Sequence, residues 1–140
     1  MTKTTIQLQG SFVTLIPLSV MGKATVGVKN SEKAFNEVES KLGSMKGRKF
    51  YGLLNGDPDG GEYFACVAVN SQDDPASLGL EVRQIPGGKY VRGKIRNWYE
   101  DLSAIGKGFA LLFDKYPYDH SRPTIEYYRS DRDVYIYLPV

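Results

Sequence analysis

Glu126 stands in the strand-like run Thr124-Ile125-Glu126-Tyr127-Tyr128, and a second run rich in tyrosine, Val134-Tyr135-Ile136-Tyr137-Leu138, follows it. A carboxylate among phenol rings has two chemical uses. Ring faces and carboxylate both attract positive charge, and burial strengthens the attraction, so an aromatic cleft holding one carboxylate favours a flat lipophilic cation. Desolvation also raises a carboxyl pKa toward neutrality, which suits a general base that activates water. A third reading is structural, with Glu126 paired across strands to a Lys or Arg on a solvated sheet face. With ten Tyr, six Phe and one Trp in 140 residues, the rings and hydroxyls are the chain's main chemical resource.

Other reactive residue types carry less. Cys66 is the only cysteine and lies in the apolar run Tyr63-Phe64-Ala65-Cys66-Val67-Ala68-Val69, so it reads as a buried thiol and excludes an internal disulfide. His120, in the loop Asp119-His120-Ser121-Arg122-Pro123, reads as a surface residue. Gly87-Gly88 reads as a bend, because no helix start or Lys-Ser/Thr pair follows to cradle a phosphate. Asp57-Pro58-Asp59-Gly60 lacks the downstream Glu of a calcium loop and reads as a turn. No metal and no cofactor is expected.

The elements that position these residues follow from period and punctuation. Phe12 to Ile16 reads as a strand stopped by Pro17, and Ala24 to Val28 continues the β-like composition. From Ser31 the apolar positions Ala34, Phe35, Val38, Leu42 and Met45 fall at helical spacing, with Asn30 or Ser31 as N-cap. Phe50 to Leu54 and Tyr63 to Val69 flank a turn-rich link and read as a hairpin. The order then repeats. A strand over Leu80 to Ile85 stops at Pro86, another covers Tyr90 to Ile95, and Trp98, Leu102, Ile105, Phe109 and Leu112 form one helical stripe in which Trp98 reads as core. A hairpin of Thr124 to Arg129 and Val134 to Leu138 closes the chain.

This weak repeat matches Ile16-Pro17 with Ile85-Pro86 and Tyr63–Val69 with Val134–Val140. It implies one α+β domain over residues 1–140 with halves at about 10–70 and 78–140. Two β-α-β-β units would then meet at a pseudo-twofold axis, giving an antiparallel sheet with both helices on one side and a ligand cleft on the other. Alternation sends Val134, Ile136 and Leu138 to one face and Tyr135 and Tyr137 to the other. If Ile125 joins the core, Glu126, Tyr128, Tyr135 and Tyr137 share the uncovered face.

Charge and hydropathy bound the partners. Eighteen Lys plus Arg against sixteen Asp plus Glu leave a net charge of +2, too small to point to DNA or RNA. No apolar run approaches the roughly 20 residues that cross a bilayer, and the first residues carry no signal-peptide pattern, so no membrane contact and a cytoplasmic address are expected. A single-stranded nucleic-acid platform would need a basic, glycine-punctuated aromatic strand that Tyr63 to Val67 does not supply.

Arg48-Lys49-Phe50-Tyr51-Gly52, the Tyr63–Val69 run, Ile85-Pro86-Gly87-Gly88-Lys89-Tyr90, the helix from Trp98, Ile125-Glu126-Tyr127-Tyr128 and the terminal Val134–Val140 segment come in a familiar order. Together they resemble the GyrI-like effector-binding domains, over nearly the whole chain. The resemblance implies two β-α-β-β repeats about a pseudo-twofold and a cleft for hydrophobic, often cationic compounds. Relatives fused to DNA-binding regions sense drugs; free-standing ones include a gyrase inhibitor and proteins that hydrolyse reactive small molecules. The family's cleft glutamate maps to Glu126, and the aromatic positions implied as cleft walls are Tyr51, Tyr90, Tyr128, Tyr135 and Tyr137. Where relatives often show a glycine and an acidic residue, this chain has Ala65-Cys66-Val67-Ala68-Val69, and it contains no helix-turn-helix segment. The expected function is binding of small hydrophobic, cationic or aromatic molecules. Hydrolysis through Glu126 and a gyrase-type protein inhibitor role, with its protein partner, remain the alternatives.

Overall fold

The computed structural model describes residues 3–140. Eight strands are formed: β1 (Thr5–Leu15), β2 (Leu18–Val26), β3 (Phe50–Asn55), β4 (Glu62–Ala68), β5 (Glu81–Ile85), β6 (Gly88–Arg96), β7 (Thr124–Tyr128) and β8 (Asp133–Pro139). There are three helices, α1 (Ser31–Lys41), α2 (Pro75–Leu78) and α3 (Ser103–Lys115), and short 3-10 turns, Val28–Asn30 and Trp98–Glu100, precede α1 and α3. All strands lie in one antiparallel sheet in the order β1-β6-β8-β7-β3-β4-β2-β5.

That order is its own mirror when each strand of the first half is exchanged with its counterpart four strands later, which is the pseudo-twofold expected from the repeat. Each half is β-β-α-β-β, one strand more than the β-α-β-β unit. The ladders fix the equivalence. Tyr63 matches Val134, as the repeat predicts, while Leu15 matches Ile85, so the Ile16-Pro17 segment is one residue out of the predicted register.

Two links impose a strong curl. In a flat sheet β1 and β2 would stand six strands, or about 29 Å, apart, yet the link from Leu15 to Leu18 spans at most about 11 Å. The link from Ile85 to Gly88 makes the same demand on β5 and β6. The two links cross in contact: a Cβ on Gly87 would come within 2.9 Å of the Leu15 carbonyl oxygen and 2.8 Å of Pro17 Cδ. Both sheet faces are therefore largely buried, with Tyr51, Tyr127 and Tyr135 on the far face left partly exposed. On the helix face α1 packs through Ala34 and Val38 on Met21, Ala65 and Val67, and α3 packs through Ala104 and Leu112 on Val91, Ile95 and Ile136. The curl closes the far face over Val20, Leu53, Phe64, Ile85, Tyr90 and Ile125.

The helices are shorter than their apolar stripes suggest. The first ends at Lys41, Leu42 is extended and Met45 is half exposed. In the second, Asp101 breaks the run between the 3-10 turn and α3. The predicted stripe combines two faces: Leu112, with Ala104 and Gly108 beside it, meets the sheet, whereas Leu102 just before α3, Ile105 and Phe109 line a cavity that α1 also borders. Among the described residues no helix is long and apolar enough to cross a membrane.

Candidate functional site

The centre of the sheet, where the halves meet at β3 and β7, carries the site. Alternation along β7 sends Thr124, Glu126 and Tyr128 to the helix face, because Glu126 pairs with Ile136 and Ile136 lies under α3. Across the ladder Glu126 faces Gly52. A Cβ there would collide with the Tyr63 hydroxyl and approach Glu126 Oε1 to 2.8 Å, so only glycine leaves room for both groups.

Glu126 is only 8% exposed. Its Oε1 accepts two hydrogen bonds, from the Tyr63 hydroxyl and the Tyr128 hydroxyl, each at 2.6 Å. Oε2 has no hydrogen-bond partner among the described residues, and no fully buried side-chain oxygen lacks one, so Oε2 faces open space. Burial raises the Glu126 pKa, and the hydrogen bonds from Tyr128 and Tyr63 oppose that rise. Burial, followed by the carboxylate's charge, pushes both phenols well above their ordinary value, so they stay protonated donors.

That open space is a cavity of about 1170 Å³ between α1 and α3, with Glu126 on its floor. It lies on the helix side of the sheet, not on the side away from the helices where the sequence placed the cleft. The reason is the curl, which fills the far side, while the unmatched faces of α1 and α3 leave a gap. Phe35 reaches in from α1 and meets Tyr63 and Tyr128 edge to face, with centroids 6.1 and 5.4 Å away. Trp98 meets Tyr128 at 5.1 Å and donates its indole N–H to the Ser130 carbonyl at 3.2 Å. Ile105 and Phe109 form the opposite wall. At the rim, Glu32, Glu39 and Asp131 accompany Lys29, Arg48 and Arg129. The Arg48 guanidinium is already matched, by paired 2.6 Å bonds to both Asp73 oxygens.

Of the six residues singled out in the sequence, Glu126 and Tyr128 come together here. Tyr51, Tyr90, Tyr135 and Tyr137 point to the far face, so the expected grouping of Tyr135 and Tyr137 with Glu126 does not form. Ile125 does join a core, as assumed, but the far-face core. Tyr90 donates its hydroxyl to the Pro86 carbonyl at 2.6 Å. The sequence reading missed Tyr63, Phe35 and Phe109 as site residues and placed Trp98 in the core. A signal for Tyr63 existed: the repeat matches it to Val134, leaving a phenol on an otherwise aliphatic face. Cys66 is fully buried, and burial pushes its thiol pKa up. Among the described residues no cluster of His, Cys, Asp and Glu could hold a metal.

Solved structures share this fold at low identity. The integron cassette protein VCH_CASS2 of Vibrio cholerae aligns with a TM-score of 0.73 at 17% identity, over 96% of this chain and 98% of that one. SAV2435 bound to tetraphenylphosphonium aligns at 0.60 and 16%, over 94% and 93%. A hydrolase from Listeria innocua aligns at 0.60 and 9%, over 95% and 92%. No curated protein matches. The resemblance to GyrI-like effector-binding domains is upheld by a family model that matches residues 14–140: the chain belongs to the Cass2 family of integron-associated effector-binding proteins.

Proposed function

We propose that the chain binds a lipophilic organic cation in the cavity between α1 and α3, with Glu126 as counter-charge. The observation that carries this reading is the unpartnered Oε2 of a buried carboxylate opening into an aromatic chamber. Tyr63 and Tyr128 donate to Oε1 and stabilise the ionised form, while Phe35, Trp98 and Phe109 offer ring surface to the ligand's apolar part. Support comes also from SAV2435, a protein of the same fold held with tetraphenylphosphonium.

The test is calorimetric titration of tetraphenylphosphonium into the wild-type chain and into Glu126→Gln. Weakening by tenfold or more, about 1.4 kcal/mol, supports a cation beside a desolvated carboxylate. Equal affinity in both proteins, or no binding to either, overturns it.

The raised Glu126 pKa between two protonated phenols favours a second reading, general-base hydrolysis. Glu126 would take a proton from water, the hydroxide equivalent would attack an electrophilic carbon, and a tyrosine would protonate the leaving atom. Failure to form product from electrophilic ligands that bind removes this reading.

A further inference from the structure

The far face of the sheet carries an arrangement that the cavity leaves unused. Tyr51, Tyr127 and Tyr135 stand in register on β3, β7 and β8, paired Tyr51 with Tyr127 and Tyr127 with Tyr135. Their rings stack, with centroids 4.8 and 6.3 Å apart and interplanar angles of 19° and 16°. At the Tyr135 end three cations crowd one ring: Arg92 at 5.1 Å, Lys94 at 5.5 Å and Arg129 at 6.0 Å from the centroid. Arg92 also lies across the ladder from Tyr137, and its charge acts on that hydroxyl.

The charges do not balance. Lys94 Nζ lies 3.6 Å from Asp133, but among the described residues neither Arg92 nor Arg129 has an acidic partner. Arg129 instead donates to the Tyr135 hydroxyl at 3.2 Å. Three like charges around one ring repel, and the ring quadrupole offsets only part of that cost. The hydroxyls of Tyr51 and Tyr127 make no hydrogen bond among the described residues, and neither belongs to a set of fully buried orphan atoms, so both reach solvent. On the other half of the same face the comparable cation, Arg83, is neutralised by Glu62 and Glu81. At the tyrosine stack Arg92 and Arg129 are left without such partners among the described residues.

We propose that this tyrosine stack is a second ligand site, for a small organic oxyanion: a phosphate monoester or carboxylate carried on a compact apolar group. Arg92, Lys94 and Arg129 supply the charge, and the free phenol hydroxyls supply neutral donors. The stacked ring edges provide a surface for the apolar group. The tyrosine stack and the cavity floor lie on opposite faces of β7, which sends Glu126 one way and Tyr127 the other, while Arg129, just past the end of β7, borders the cavity rim and also reaches the Tyr135 hydroxyl.

The experiment is calorimetric titration of phenyl phosphate and of benzoate into the full chain, at ionic strength held constant with sodium chloride. Saturable binding is expected, and the tighter of the two probes names the oxyanion. Arg92→Gln should weaken it at least tenfold. Lys94→Gln, on a half-buried side chain beside Asp133, repeats the test should Arg92→Gln fold poorly. Saturating tetraphenylphosphonium should leave oxyanion binding in place, which separates this site from the cavity. Absence of saturable binding by both probes, full competition by tetraphenylphosphonium, or equal affinity in the folded variants each overturns the proposal.

Discussion

Gly52 stands directly across the central ladder from Glu126, and the pseudo-twofold that relates the two halves makes these residues equivalents. One half thus contributes a carboxylate at the sheet centre and the other contributes the space it occupies. Gly52→Ala would drive a methyl group into the hydroxyl and ring end of Tyr63, a side chain that is 1% exposed. The expected cost is about 1–3 kcal/mol of stability. Thermal unfolding reads it, together with weaker tetraphenylphosphonium binding because the Tyr63 donor is displaced from Glu126.

Glu126 has a folded-state pKa above its ordinary value, chiefly through burial. An acid raised in this way favours the folded state at low pH and loses that contribution as pH rises through the raised value. The ionised group therefore costs stability at neutral pH. Glu126→Gln should melt at or above the wild-type temperature at about pH 7, with the gap closing below the ordinary carboxylate range near about pH 4. Ligand affinity runs the other way. Tetraphenylphosphonium should bind more weakly as Glu126 protonates, and binding should release protons, seen as buffer-dependent calorimetric heats.

Asp73 keeps Arg48 from acting as a free cation at the cavity wall. The Arg48 guanidinium holds its carboxyl down to about 2, below the ordinary 3.8, so this pair's contribution to stability is present above the unfolded value and fades as pH falls toward about 2. Asp73→Asn should weaken cation binding by a few fold, about 0.5–1 kcal/mol, at unchanged Glu126 chemistry. Affinity that is independent of Asp73 would show that Arg48 is too far from the bound charge to matter.

Trp98 is the only tryptophan in the chain and it lines the cavity. Its fluorescence should change saturably with tetraphenylphosphonium and stay unchanged with phenyl phosphate. Trp98→Ala should weaken the cation by about 0.5–2 kcal/mol through lost ring contact.

The sequence carried the elements well because both hairpins, both major helices and the Pro-stopped strands depend on local period and punctuation. It also singled out Glu126, which the fold buries on the cavity floor. Strand alternation separates a strand into two faces but does not say which face a helix covers, and here both faces are largely buried. Ile125 therefore argued for the wrong side, since its core belongs to the curl. The curl itself depends on two-residue links closing a long sheet, a global constraint that no local pattern shows. In α3, Leu112 and Phe109 look alike in a helical stripe, yet one meets the sheet and the other the cavity; only the position of α1 distinguishes them.

The crossed links at Leu15–Leu18 and Ile85–Gly88 also tie the two halves into one object. Strand β1 leaves its own half to pair with β6, and β5 leaves its half to pair with β2. Neither half, made alone, can satisfy the edge of its sheet, because the strand that covers it is encoded in the other. Cut between β4 and α2 and expressed as separate polypeptides, the halves should each be insoluble or self-paired, and should recover the native sheet only when produced together. The repeat is a mutual exchange of strands, so its two copies are obligate partners within one chain.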